Sequence, residues 1–91
     1  MTLRIEHTVQ LWQEGNTYVA RALPLDVMSC GGTPEDARRN LTEAVDLFLK
    51  TAVRHGTLLE VLEECGYVRE NDEWRAPKLL LSETVTQAVH A

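Results

Sequence analysis

The sequence predicts an α+β domain, an antiparallel β-sheet of order β-β-β-α-α-β with helices packed on one face. Two patterns carry this prediction. Apolar and polar residues alternate over residues 3–12, the period of two that a strand imposes. Apolar residues also recur at helical spacing over residues 37–52, tracing a single stripe. The size bounds the answer: 91 residues, 44 % hydrophobic and 25 % charged, suit one small globular domain and exclude two separate cores.

In the first stretch Leu3, Ile5, His7, Val9 and Leu11 fall on one face and Arg4, Glu6, Thr8, Gln10 and Trp12 on the other, so residues 3–12 are read as one strand. Residues 13–16 contain Gly15 and Asn16, which tolerate positive φ, and the strand-favouring Thr17, Tyr18 and Val19 follow at once; this is a hairpin. Pro24 cannot donate to a ladder and ends or edges the second strand, after which residues 26–30 form a short third strand running into Gly31-Gly32.

A helix follows. Thr33 can accept from the N–H three residues on, Pro34 sits where a missing donor costs nothing, and Glu35 and Asp36 complement the positive helix end. Ala37, Leu41, Ala44, Val45, Phe48 and Ala52 form the stripe that packs on the sheet, with Phe48 expected to be buried there. Gly56 stops this helix, and Thr57 with Glu60 reads as a capping box opening a short second helix that carries Leu58, Leu62 and Cys65 and closes at Gly66. Residues 68–78 read as a polar connector with a turn at Asn71-Asp72. Residues 79–89 read as the last strand, with Leu79, Leu81, Val85 and Val89 on one face and Ser82, Thr84 and Thr86 on the other.

Fourteen acidic against nine basic residues give a net charge of −5, and no third of the chain is basic, which opposes binding to a phosphate backbone. No apolar run approaches the roughly 18 residues that cross a bilayer, and the first residues lack the basic-then-apolar order of a secretory signal, so the expected location is the cytoplasm. Cys30 and Cys65 have no CxxC spacing and are expected as thiols.

Chemistry-bearing constellations are sparse. Gly31-Gly32-Thr33 precedes a helix, but it lacks a Lys-Thr ending and is followed by two acids, so it reads as a strand-to-helix turn and not as a phosphate cradle. His7, His55 and His90 share no helical pair, and no metal or other cofactor is assigned. Glu6, Asp26 and Glu83 are the only strand carboxylates, too few for a metal-dependent nuclease. Cys30 has no local base and reads as a small buried thiol. No catalytic residue is expected. Of the few aromatic residues, Trp12, Tyr18 and Trp74 are core or satellite packing on one reading and exposed interface anchors on the other.

The stretch YVARALPLDVMSCGGTPEDARRNLTEA, residues 18–44, resembles the HicB family of antitoxins. That family has a strand ending near a proline, a second strand reaching a Ser-x-Gly-x-Thr turn, and a helix opening with two acids and Ala before Asn-Leu-x-Glu-Ala. The matching residues are Pro24, Ser29, Gly31, Thr33, Glu35, Asp36, Ala37, Asn40, Leu41, Glu43 and Ala44. GTLLEVLEECGY, residues 56–67, is similar to the second helix of compact members, so the likeness covers roughly residues 1–67 and, more loosely, the final strand. Two departures stand out: the Pro-Gly turn between the second and third strands is replaced by Leu25-Asp26, and only 24 residues follow Tyr67 where many members carry a DNA-binding domain.

The resemblance implies a partial RNase H-like fold without catalytic acids that neutralises a small basic HicA-like RNase toxin. No direct nucleic-acid contact is expected. The alternatives are an orphan HicB-like oligomerisation module and, from another class, a metal-dependent nuclease. Trp12 and Tyr18, flanking the hairpin, are the candidate partner-binding residues. Leu79, Leu81, Val85 and Val89 are the candidate oligomer interface of a homodimer, because a domain this small gains burial by pairing and an apolar edge strand needs covering.

Overall fold

The computed structural model describes residues 2–91. The chain is α+β, with strands β1 (Arg4–Ile5), β2 (Thr8–Glu14), β3 (Thr17–Leu23) and β4 (Val27–Gly31), helices α1 (Pro34–Arg54) and α2 (Leu58–Glu64), and strands β5 (Val68–Glu70) and β6 (Glu73–Arg75). It has two three-stranded sheets, one ordered β2-β3-β4 and fully antiparallel, the other β1-β6-β5 with β1 parallel to β6.

The β2–β3 hairpin closes through Gly15-Asn16, with Glu14 opposite Thr17. Gly15 alone takes a positive φ, 60°, the first central position of the two-residue turn that matches strand twist. In β3, Ala20 and Ala22 are fully buried beneath α1, and their small side chains let the helix approach the sheet closely. Gly31 serves the same end at the end of β4. A Cβ there would lie 2.7 Å from the Ala37 amide nitrogen and 2.8 Å from the Asp36 Cβ.

Helix α1 starts as its sequence dictates. The Thr33 hydroxyl accepts from the Asp36 amide at 3.1 Å, Pro34 opens the first turn, and Glu35 and Asp36 lie within it. Its core stripe is Ala37, Leu41, Val45 and Ala52, with Leu41 wholly buried. Phe48 is half-buried and packs against the edge of the core, so the expected burial of that ring under the sheet is corrected. Helix α2 adds Leu58 and Leu62 to the core, but the Thr57 capping box does not form. Thr57 follows Gly56 directly, at ψ 4°, outside the extended conformation of a capping residue, and its hydroxyl donates back to the Ala52 carbonyl at 3.4 Å.

Three further expectations are corrected. The strand read over residues 3–12 is two strands in two sheets, because the chain changes partner at Glu6-His7. The polar connector contains the β5–β6 hairpin, turned by Asn71 at φ 57° and anchored by the buried Trp74. Residues 79–89 form no strand. They join no ladder, and Leu79, Leu81, Val85 and Val89 are all exposed, so the element order is β-β-β-β-α-α-β-β.

Candidate interaction surface

Register across β2-β3-β4 separates the two faces of that sheet. Val9, Ala20, Ala22 and Val27 face α1, whereas Trp12 lies opposite Val19, and Val19 opposite Cys30, on the face that no helix covers. Gln10, Arg21 and Met28 make the next row of this open face, with Met28 52 % exposed. The Trp12 indole N–H donates to the Glu14 carboxylate at 2.6 Å, and Arg21 pairs with Asp26 at 2.8 Å. Tyr18 lies on the helix-facing side and packs against the core. Thus the two predicted partner-binding residues occupy opposite faces and do not form one patch.

Cys30 is exposed on this open face. That corrects the expectation of a buried thiol: the alternate residues of β4, Val27, Ser29 and Gly31, take the helix-facing positions. The role of Asn40 is geometric. Its side-chain amide donates to the Cys30 carbonyl at 2.9 Å and ties α1 to the β4 edge.

Carboxylates gather around Arg75 beside Glu6, where the chain passes from β1 to β2. Arg75 meets Glu6 at 3.1 Å, Glu70 at 3.2 Å and Glu73 at 3.0 Å, while Glu6 also accepts from the Ala76 amide at 3.1 Å. These carboxylates hold the exposed Arg75 guanidinium charged, raising its pKa further above its ordinary value. The Tyr67 hydroxyl donates to the Glu6 carbonyl. Its pKa is pushed up to about 12 by burial first, then by Cys65 and Glu6. His7 is lowered from 6.5 by burial and secondarily by the Arg38 charge. Burial and Glu64 raise the Cys65 thiol. The Arg69 guanidinium lies 5.9 Å from the centre of the buried Trp74 ring.

The three carboxylates singled out in the sequence, Glu6, Asp26 and Glu83, do not come together. Glu6 is engaged by Arg75, Asp26 by Arg21, and Glu83 lies in the exposed final segment. Among the described residues, no three His, Cys, Asp or Glu side chains are grouped to hold a metal ion. By contrast, α2 presents Glu60, Glu63 and Glu64 to solvent, and none of the three forms an ion pair among the described residues. No described helix is long and apolar enough to cross a membrane. Compared with family models, with curated proteins and with solved structures, the chain matches none.

Proposed function

We propose that this chain is a HicB-like, non-enzymatic binding protein: a cytoplasmic antitoxin that neutralises a small basic HicA-like RNase toxin by protein–protein contact and acts as a homodimer. The observation that carries the reading is the ordered motif of residues 18–44, whose members have coherent structural work. Gly31 permits close approach, Thr33 caps α1, Asn40 bonds the β4 edge and Leu41 fills the core. Charge supports the partner class. A net charge of −5, with Glu60, Glu63 and Glu64 of α2 exposed and outside every ion pair among the described residues, steers a basic protein into encounter. On this reading the domain is a partial RNase H-like fold.

The test is co-expression with the small basic reading frame, about 60–80 residues long, adjacent to this gene. Restored growth, a co-purifying complex and loss of the partner's RNase activity are the expected results. Trp12→Ala is expected to weaken the complex if the open face makes the contact. A chain that neither binds nor inhibits such a neighbour refutes the antitoxin reading while leaving the fold intact. Mg²⁺-dependent RNA cleavage by the purified chain, lost in Glu6→Gln or Asp26→Asn, supports the nuclease instead.

A further inference from the structure

Residues 77–91 are exposed throughout and make no backbone hydrogen bond within the described chain. This is costly for their composition: Leu80 is 84 % exposed, Leu81 66 % and Val89 88 %. The molecule as a whole records the same deficit. It exposes 6979 Å², whereas a compact folded chain of 10.3 kDa exposes about 5,400 Å². Its radius of gyration is 15.5 Å, against about 12 Å for a compact domain of this length. The excess is about 1,600 Å² per chain; removed from both members of a pair, it falls in the range of obligate dimers, about 2,000–5,000 Å².

The sheet edges show where such a segment fits. On the β4 edge one acceptor is already engaged, because Asn40 donates to the Cys30 carbonyl. Among the described residues β2 pairs only with β3, so its outer edge beyond Thr8 is free. Helix α1 lies over β3 and β4 and barely reaches β2, which leaves Leu11 43 % exposed on the helix-facing side. An added strand with one apolar face covers Leu11 and satisfies the edge together. Residues 79–89 approach that form: Leu79, Leu81, Val85 and Val89 share one face with Glu83 and Gln87, and Ser82, Thr84 and Thr86 lie on the other with Leu80 and Ala88. Pro77, Lys78 and Leu79 lie beside Thr8 and Leu23, at the start of β2, yet beyond them the segment joins no ladder of its own sheet, and the molecule extends 50 Å against 30 and 22 Å in the other directions.

We propose that a second copy of this chain completes the sheet: residues 79–89 of each copy add as an edge strand to β2 of the other. The inference rests on the self-association in the proposed function and is independent of any toxin.

The test uses the full chain, with light scattering and amide hydrogen exchange from about 1 to about 100 µM. The expected species at high concentration is a dimer in which amides of residues 80–88 and outward-facing amides of β2 are protected at least tenfold. Dilution to monomer is expected to remove both protections together. The double variant Leu81→Asp/Val85→Asp is expected to be monomeric at about 100 µM with unchanged helical circular dichroism. A wild-type chain monomeric throughout overturns both the exchange and the self-association. A dimer with unprotected residues 80–88 overturns the exchange alone. So does protection that persists in the monomer, which places the segment on its own β2, and so does a variant that remains dimeric.

Discussion

The close approach of β4 to α1 at Gly31 gives the sharpest test of the packing. In Gly31→Ala the new methyl would meet the Ala37 nitrogen at 2.7 Å, the Asp36 Cβ at 2.8 Å and the Asp36 carbonyl carbon at 2.9 Å. Carbon atoms prefer about 3.5–4.0 Å, and none of these three atoms is the end of a flexible side chain, so the first turn of α1 must shift by roughly 0.5–1 Å. Such overpacking costs about 1–3 kcal/mol. Gly32→Ala is the matched control, because its methyl meets nothing within 4 Å and its φ lies outside the left-handed region. Both substitutions restrict the unfolded chain alike, so their difference isolates the clash. In urea melts followed by helical circular dichroism, Gly31→Ala is expected to lower the unfolding free energy by at least about 1 kcal/mol relative to Gly32→Ala, or roughly 4–8 °C in Tm per kcal/mol. Equal stabilities within about 0.5 kcal/mol refute the close approach.

Further outcomes follow from the same geometry. Leu41→Ala, at a wholly buried site, should cost about 2–5 kcal/mol and exceed the cost of Phe48→Ala at its half-buried site, as measured by denaturant midpoints. Thr33→Ala removes the hydroxyl that accepts from the Asp36 amide and should cost about 1 kcal/mol, with Thr33→Asn largely restoring stability. His7 has a folded pKa below 6.5, so the unfolded chain binds more protons just below that value. Its contribution is present above pH 6.5 and is lost as pH falls through the folded pKa, and His7→Gln should flatten that part of the stability profile. Tyr67 behaves oppositely. Its folded pKa of about 12 exceeds the ordinary 10.0, so its contribution holds below pH 10 and is lost as pH rises through 12. Tyr67→Phe should remove that alkaline slope, read as urea midpoints across the range.

What was legible in the sequence was local. Thr33, Pro34 and the two following acids specify the start of α1 through backbone groups within one turn, and Gly15 specifies its hairpin by conformation alone. Partner choice was not legible. Alternation reports that a segment has two faces, not which strand it joins, so residues 3–12 keep their period while passing from one sheet to the other at Glu6-His7. For the same reason residues 79–89 look like a strand although none of the described residues pairs with them. The β5–β6 hairpin carries little sequence signal because its six strand residues include only Val68 and Trp74 as apolar residues among charged neighbours. At the candidate surface, the opposite placement of Trp12 and Tyr18 depends on cross-strand register, Trp12 with Val19 and Tyr18 with Gln13, which the two-residue turn sets. The bond from Asn40 to Cys30 has no sequence signal beyond the polar residue itself.

The Glu6–Arg75 junction also has a consequence for the order in which the chain folds. Strands β2, β3 and β4 are joined by short turns and lead directly into α1, so that unit closes through small loops. The Glu6–Arg75 contact instead joins residues 69 apart in sequence, and the parallel β1–β6 pairing spans the same distance. Because closure entropy rises with loop length and must be spent before a distant contact returns anything, the hairpin-and-helix unit is expected to assemble first. The β1-β6-β5 sheet then closes late, as the step that commits the whole chain.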